Sequence, residues 1–416
     1  MTNIHIYLGD NAIEHLVRYC EEQNISHFLQ VADRNTYAAM GQSVEAALAG
    51  RRWDVKSMVF ESLDVVPDEA SITQVLMQAD QVERTFLAVG SGTLTDIVRF
   101  VSHRTRRPFI SLPTAPSVDG FTSPSASLVI GRIKQSVMAQ PPVAIFADID
   151  TLVAAPQPLV AAGFGDILGK TIALADWQLG HLLWDEPYDA DIAQRVRISL
   201  DTCVETTTEI GQVSTSGVQK LMHSLIDSGF CMLDFGNSRP AAGAEHYMSH
   251  YLEMKLLREG RPAVLHGAKV GLCSLYMADL YMRLRQIKRS EATSRLLAAC
   301  LPDRSAEEQR IRSIFGSIAD KLIAEQAPFL SLSVESFTRL KQRILDHWDE
   351  IQILAADVPA PQWFADHLRQ AGCPTTSAEL GLSDNEVEQA LLNAHFFRNR
   401  FTICKLGHIL GLVDGL

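Results

Sequence analysis

The sequence lacks the compositional bias that marks several protein classes. Its 416 residues include 25 Gly and 17 Pro, without the enrichment or strict period that collagen-like and low-complexity chains need. No long block of like charge is present, which excludes a charged disordered tail. With 37 basic against 49 acidic residues the net charge is −12, whereas a general nucleic-acid binder needs a basic face. We therefore expect a folded protein without a nucleic-acid partner.

Paired cysteines, a secretion signal and a membrane span are not expected from the sequence either. The seven cysteines are scattered and include no C-x-x-C pair, which indicates reduced thiols and no cysteine metal site. The opening residues, MTNIHIYLGD, have neither a basic start nor an apolar stretch. No window of about 18 apolar residues is free of charge and proline. We expect a cytoplasmic enzyme without a membrane partner.

The first 155 residues alternate short apolar runs with amphipathic segments. The runs predict strands at Ser26–Ala32, Val55–Phe60, Thr85–Val89, Phe109–Leu112 and Val143–Ala147. Helices are predicted around Tyr37–Ala49, Glu69–Ala79 and Leu94–Thr105. This alternation predicts a mainly parallel, Rossmann-like sheet that binds ligands beyond the carboxyl ends of its strands. A hairpin is expected from Ser123 to Arg132.

After Pro156 and Pro158 the pattern is almost wholly helical. Apolar residues at three-to-four spacing predict helices over Ile167–Leu183, Ala190–Ile210, Gly243–Arg258, Ala268–Gln286 and Ala306–Glu325. Two prolines so close together interrupt either regular element. We therefore predict an α/β nucleotide-binding domain over residues 1–155 and an all-α metal- and substrate-binding domain over residues 156–416.

Two segments follow predicted strands and are candidates for the ligand-binding edge of the sheet. Val89-Gly90-Ser91-Gly92-Thr93 opens a helix whose N–H groups attract phosphate, although a plain strand-to-helix turn explains it equally well. It is not the G-x-G-x-x-G fingerprint. Pro113–Ser123 combines four hydroxyls, two prolines and an Asp in a stiff polar loop, which turn chemistry alone also explains. Asp33 ends an earlier strand, where it either binds an adenosine ribose or caps the next helix.

A dispersed set of metal-ligand residue types lies in the helical region. Asp166 precedes an apolar run, and it is either a metal ligand or the N-cap of a helix. His246 and His250 are four residues apart and share one helix face, and His266 begins the next helix. One carboxylate and two imidazoles suit zinc, nickel or iron, although histidines satisfied in the core would give the same spacing.

Five blocks in order resemble the bacterial sn-glycerol-1-phosphate dehydrogenases: VGSGTLTD, PTAPSVDGFTSPSA, GFGDILGKTIALADWQL, GNSRPAAGAEHYMSH and LHGAKVG. That family lies within the superfamily of iron-containing alcohol dehydrogenases, glycerol dehydrogenases and dehydroquinate synthases. The blocks span residues 89–271, and FFRNRFTICKLGHILGLV looks like the bacterial branch's ending. The resemblance implies a dehydroquinate synthase-like fold. It also implies that the protein interconverts dihydroxyacetone phosphate and sn-glycerol 1-phosphate. The reaction would use NAD or NADP and a divalent metal ion, with zinc or nickel favoured. The resemblance further implies a homodimer.

The resemblance also implies roles for single residues. Besides Asp33, the resemblance implies that a further set of residues contacts the cofactor: Gly92, Thr93, Leu94, Thr95, Asp96, Thr114, Ala115, Pro116, Ser117 and Ser123. Catalysis and substrate contact are implied for Asp119, Asp166 and His250, and the metal ligands are Asp166, His246 and His266. Lys170 and Arg239 are candidates for the substrate phosphate, although surface or helix-end charges explain them too.

Departures from the family pattern are small, and other activities stay open. Ser91 stands where a third glycine is common, and Ala242 and Ala244 replace small hydroxyl or similar residues. Lys170 occupies the position of a further His in iron-dependent alcohol dehydrogenases, which favours three ligands. The alternatives are a related glycerol or alcohol dehydrogenase and a dehydroquinate-synthase-like lyase, whose ligands would be Glu, His and His. A non-catalytic binding protein is disfavoured because the ligand set is intact.

Overall fold

Six parallel strands form one sheet in the computed structural model, which describes residues 4–62, 64–131 and 133–413. Its strands are β1 (His5–Gly9), β2 (His27–Asp33), β3 (Asp54–Phe60), β4 (Thr85–Val89), β5 (Phe109–Leu112) and β8 (Ala144–Asp148). The order across the sheet is β1-β8-β5-β4-β2-β3. An antiparallel hairpin, β6 (Ser125–Ile130) and β7 (Ile133–Met138), is inserted before β8.

The central strands are apolar throughout because both faces of the sheet are covered. Along β4, Leu87 and Val89 pack into one hydrophobic cluster, while Phe86 and Ala88 pack into the other. Successive side chains of a strand point to opposite faces, so each cluster takes every second residue. All five residues of β4 are buried. This two-sided burial explains why the strand appears in the sequence as an uninterrupted apolar run.

The predicted strands are confirmed to within one residue at each end, and β1 was missed. Its sequence, HIYLG, is short and half polar, and among the described strands it lies at the sheet edge and pairs with β8. An edge strand needs no continuous apolar run, so its pattern is weak. The hairpin predicted from Ser123 to Arg132 is present but extends to Met138. Arg132 itself lies outside the described residues.

Helices connect the strands of the N-terminal region. They are Ala12–Glu22, Arg34–Thr36, a π-helical turn at Tyr37–Gly41, Gln42–Gly50, Glu69–Leu76, Gly92–Arg104, Ile149–Val153 and Gln157–Leu168. The three predicted helices before residue 106 are therefore confirmed, the first as a run of three shorter pieces. A parallel sheet joined by helices is the predicted α/β architecture.

Within the described residues, no strand follows Asp148. The α-helices after Leu168 are Lys170–Trp184, Ala190–Glu205, Thr207–Gly211, Thr215–Phe235, Ala244–Glu259, His266–Gln286, Arg289–Ala298, Arg304–Phe315, Ala319–Leu330, Val334–Asp346, Trp348–Asp357, Pro361–Gln370, Asp384–Asn393 and Ile403–Leu410. Short 3₁₀ turns lie at Gly316–Ile318, Ala378–Leu380 and Ala394–Phe396. This helical region confirms the predicted fold class.

The chain divides into two compact units that do not follow the chain order. Unit 1 comprises the chain through Ile167, together with Ile198–Asn237 and Gln370–Cys373. Unit 2 comprises Leu168–Arg197, Ser238–Arg369 and the chain from Pro374 onward. Unit 1 therefore extends beyond the boundary predicted at residue 155 and includes most of helix Gln157–Leu168. At Gly163 that helix lies close to the rest of unit 1. A Cβ atom added to this glycine would lie 1.8 Å from the Pro116 carbonyl oxygen.

One stretch of the described chain is long and apolar enough to cross a membrane. It covers the 28 residues Gln157–Trp184, which form two consecutive helices. Within its most apolar window, 89% of the residues are buried inside the protein, as is usual for a core helix.

Candidate functional site

The glycine-containing turn and the proline-rich loop meet at the carboxyl edge of the sheet. They follow β4 and β5, which are neighbours in the parallel sheet, so both segments leave it on the same side. The Ser91 hydroxyl donates to the Ala115 carbonyl oxygen at 3.2 Å. Its oxygen also lies 2.5 Å from that of Ser117. The structure thus brings together the two segments that the sequence predicted at the ligand-binding edge.

The start of helix Gly92–Arg104 offers N–H groups to an anion. Ser91 occupies the N-cap position but makes no side-chain cap hydrogen bond, because its hydroxyl bonds to the neighbouring loop. Uncapped first-turn N–H groups and the helix dipole both favour an anion there. The side chains of Leu94 and Thr95 are buried, so any cofactor contact from these two residues falls to their backbone.

Asp96, a predicted cofactor contact, is engaged in an internal ion pair. Its carboxylate lies 2.5 Å from the guanidinium of the buried Arg99. Arg99 in turn donates to the carbonyl oxygens of Gly120 and Phe121. Burial raises the pKa of Asp96 to about 6, although the charge of Arg99 opposes that shift. The pair therefore ties the helix to the proline-rich loop, a role that the sequence did not reveal.

Asp33 is a helix cap in the structure. Its Oδ1 accepts the N–H of Thr36 at 2.8 Å, and the Thr36 hydroxyl completes a reciprocal capping box. The capping interpretation is thus observed, and the ribose contact stays a prediction. Ser123, at the far end of the proline-rich loop, accepts the N–H of Ser125 at 3.2 Å.

Asp119 and Asp166 are in contact inside unit 1. The Asp119 N–H donates to Asp166 Oδ2 at 3.1 Å, and Asp119 Oδ2 accepts the Ser228 hydroxyl at 2.9 Å. Asp166 is fully buried and lies in the last turn of helix Gln157–Leu168, so it is not the N-cap that its sequence context allowed. A hydrogen bond therefore links Asp119, which is predicted to contact the substrate, to Asp166, which is predicted to bind the metal.

The three predicted histidines converge in unit 2 from two helices. His246 and His250 lie on helix Ala244–Glu259, and His266 is the first residue of helix His266–Gln286. The ring centroids of His246 and His266 are 5.3 Å apart, and those of His250 and His266 are 5.5 Å apart. Glu253 joins this group, since it can offer a ligand atom within 4.8 Å of atoms of His250 and His266.

Two buried carboxylates that the sequence analysis missed support this histidine group. Glu245 Oε1 lies 2.6 Å from His246 Nδ1 and accepts the Gly243 N–H. Such a contact sets the ring orientation, as carboxylates do behind metal-binding histidines. Asp176 accepts the Ala244 N–H and the Tyr281 hydroxyl, and burial together with the Glu245 charge raises its pKa to about 7. In the sequence, Asp176 and Glu245 lie within two of the five blocks that resemble the family, and that position was the signal that could have identified them.

The two candidates for the substrate phosphate are both buried in unit 2. Arg239 forms an ion pair with Glu186 at 2.6 Å and donates to the carbonyl oxygens of Asp176 and Phe401. These contacts join distant segments of unit 2, and they give the predicted phosphate role of Arg239 no support. Lys170 is 1% exposed, which excludes a surface charge, but it is the first residue of helix Lys170–Trp184, so the helix-end alternative stays open.

Sequence comparison finds relatives along almost the whole chain. A family model described as iron-containing alcohol dehydrogenase matches residues 7–156. Glycerol-1-phosphate dehydrogenase (NAD(P)+) of Halalkalibacterium halodurans is 37% identical over 401 residues, which cover 96% of this chain and 90% of that protein. The protein of the same name from Bacillus subtilis is 36% identical over 400 residues, covering 95% and 89%.

Solved structures show the same fold at much lower identity. Glycerol dehydrogenase from Schizosaccharomyces pombe superposes with a TM-score of 0.61 at 16% identity, and the match covers all of this chain and 90% of that one. At this identity the likeness concerns the fold alone.

Proposed function

We propose that this chain, which belongs to the glycerol-1-phosphate dehydrogenase family, interconverts dihydroxyacetone phosphate and sn-glycerol 1-phosphate with NAD or NADP. The observation that carries the proposal is similarity to proteins of that name over nearly the whole chain. The local geometry agrees with it, because the predicted cofactor loops meet and Asp119 contacts Asp166. A residue-level likeness of this extent favours a shared reaction over a merely shared fold.

We assign the cofactor to the carboxyl edge of the sheet in unit 1. Support comes from the uncapped start of helix Gly92–Arg104 and from the hydroxyl-rich loop tied to it by Ser91 and Ser117. The pyrophosphate would lie against Gly92 and Thr93, where no side chain competes for the first-turn N–H groups. Thr114 and Ser117 would bind the adjoining parts of the cofactor. When bound, NADH or NADPH supplies the hydride for the substrate carbonyl.

We assign a divalent metal ion, zinc or nickel first, to Asp166, His246 and His266. The donor chemistry fits, since one carboxylate and two imidazoles form a common open ligand set. Within unit 2 the His246 and His266 rings are close, and Glu245 orients His246. Within unit 1 the Asp119 N–H orients the Asp166 carboxylate. When bound, such an ion acts as a Lewis acid on the substrate oxygen.

We assign substrate binding and proton movement to Asp119, Asp166 and His250. The carboxylate of Asp119, held by Ser228, would accept a hydrogen bond from a substrate hydroxyl. His250 stacks against Phe397 and His266, and its Nδ1 lies 3.5 Å from Glu253 Oε2. This packing limits ring rotation and keeps the imidazole available to deliver or accept a proton at the substrate oxygen.

We further propose a cytoplasmic homodimer that acts on a small phosphorylated substrate without nucleic-acid or membrane partners. Six of the seven cysteines are buried and all seven are free thiols, which suits a reducing compartment. Sedimentation of the purified chain would test the dimer.

An activity assay with defined metals tests the proposed reaction. Metal-free protein is loaded with Zn²⁺, Ni²⁺ or Fe²⁺ and mixed with dihydroxyacetone phosphate and NADH. We expect NADH oxidation that stops on chelation, with sn-glycerol 1-phosphate as the product by chiral analysis. No NADH oxidation with any of the three metals would contradict the proposal.

A His266→Ala variant separates metal binding from cofactor binding. We expect turnover and bound metal to be lost while calorimetric NADH binding persists, because His266 lies outside the cofactor loops. His347→Ala is the matched control, since His347 is a surface histidine paired with Glu350. A fully active His266→Ala enzyme would remove His266 from the ligand set.

A further inference from the structure

Helix Thr215–Phe235 packs directly on the proline-rich loop of unit 1, although the two segments are far apart in the sequence. The contact is made at Gly229, where a Cβ atom would lie 2.1 Å from Thr122 Oγ1 and 2.7 Å from the Asp119 carbonyl oxygen. Only a residue without a side chain allows this approach. The Thr122 hydroxyl also donates to the Ile226 carbonyl oxygen at 3.1 Å. The helix backbone therefore fixes the loop next to Asp119.

Ser228 is the residue through which this helix reaches the Asp119 side chain. Its side chain is fully buried, and its hydroxyl donates to Asp119 Oδ2 at 2.9 Å. Asp119 is itself only 9% exposed. Because water competes little at such a site, a hydrogen bond to a carboxylate is strong there. The backbone of Asp119 is held separately, through the bond from its N–H to Asp166 Oδ2.

We infer that Ser228 is a positioning residue for the substrate: it holds the Asp119 carboxylate in the rotamer that receives dihydroxyacetone phosphate. This inference rests on the proposed function. Asp119 lies on a loop, and a loop residue keeps one orientation only when neighbouring groups hold it. The Asp166 contact holds its backbone and Ser228 holds its side chain, so the two contacts together define where the carboxylate points. Ser228 lies in none of the sequence motifs, because its role arises from packing.

Ser228→Ala should weaken substrate binding and little else. We expect the KM for dihydroxyacetone phosphate to rise about 3- to 10-fold, as for the loss of one hydrogen bond, with kcat changed less than about 2-fold. Calorimetric affinity for NADH and the metal content should match those of the wild type. Ser228→Cys is only slightly larger and has a weaker donor, and it should show the same KM rise.

Ser224→Ala is the matched control. Ser224 is a buried serine one turn earlier on the same helix, and its hydroxyl interacts with the Cys203 thiol. It should lose comparable stability while its KM stays at the wild-type value. If Ser228→Ala and Ser224→Ala lower the thermal midpoint alike and neither changes KM, Ser228 only packs the helix and the inference is overturned. Parallel loss of NADH and substrate affinity in Ser228→Ala would overturn it as well.

A double-variant cycle tests whether Ser228 acts through Asp119. We expect Asp119→Ala, which removes the acceptor of the Ser228 hydroxyl, to lower the calorimetric affinity for dihydroxyacetone phosphate, and Ser228→Ala to add nothing in that background. Additive losses would overturn the inference. A wild-type enzyme that neither binds nor reduces dihydroxyacetone phosphate contradicts the proposed function itself, whereas an active wild type with an unchanged Ser228→Ala variant contradicts only the role of Ser228.

Discussion

At the residue scale, Asp33 combines an observed capping role with a predicted cofactor contact, and the two can be separated. Its carboxylate caps the turn Arg34–Thr36 and also lies at the carboxyl end of β2, where a cofactor ribose is expected. An asparagine caps a helix almost as well as an aspartate but lacks the charge. Replacing Asp33 by asparagine would therefore remove the charge expected at the cofactor ribose and keep the helix cap.

Asp33→Asn should shift cofactor preference toward NADP with little change in thermal stability. The carboxylate repels a 2′-phosphate, so its neutralisation favours NADP relative to NAD. Asp33→Ala should show the same shift and also lose about 1 kcal/mol through the missing cap. Asp68→Asn is the control, because Asp68 caps helix Glu69–Leu76 through Ser71. The ratio of kcat/KM values for NADPH and NADH provides the measurement, and an unchanged ratio would leave Asp33 as a cap alone.

At the scale of elements, close helix–loop contacts determine which segments build the site. Helix Gln157–Leu168 approaches the proline-rich loop at Gly163, and helix Thr215–Phe235 approaches it at Gly229. Neither contact leaves a periodic signal in the sequence, because a single glycine makes each of them possible. The loop is thus held from two sides inside unit 1.

Gly163→Ala should destabilise unit 1 and weaken cofactor binding together. The new Cβ would lie 1.8 Å from the Pro116 carbonyl oxygen, so the loop must move. We expect a loss of about 1–3 kcal/mol in the free energy of unfolding and a weaker NADH affinity. Gly50→Ala is the control, since a Cβ at Gly50 meets no atom within 4 Å. Urea titration and calorimetry provide the measurements, and equal stability of the two variants would contradict this packing argument.

At the scale of the whole molecule, a buried lysine makes stability depend on pH. Lys405 is 2% exposed, donates to Gln326 Oε1 at 2.9 Å and lies over the Phe329 ring. Burial lowers its pKa from 10.5 to about 7, against the opposing charges of Glu186 and Glu325. Between these two pH values the unfolded chain keeps the proton and the native chain does not. The free energy of unfolding therefore gains a term that rises with pH across that window.

Lys405→Met should remove this rise. Urea midpoints for the wild type are expected to increase from pH 7 to pH 9 relative to those of the variant, because the folded pKa is about 7. Lys288→Met is the control, since Lys288 is exposed and should leave the pH profile as it is in the wild type. Parallel profiles for wild type and Lys405→Met would show that the native chain does not lose this proton.

Prediction from sequence succeeded for features that a local residue pattern determines. The strands buried on both faces were predicted because they are continuous apolar runs, whereas the edge strand β1 was not. The histidines were predicted to lie together, and their rings do so in unit 2. Asp96 stays a predicted cofactor contact, and its ion pair with the buried Arg99 is a contact that sequence spacing allows but does not reveal.

The sequence by itself determined the parallel sheet, the helical region and the residue types that bear the chemistry, because these depend on periodicity and on local motifs. Tertiary structure alone decided which partners hold those residues. Ser228 reaches Asp119 across 109 residues, and Glu245 and Asp176 are brought together by folding from positions 69 residues apart. Such contacts depend on backbone approach and burial, and both arise only when distant segments pack against one another.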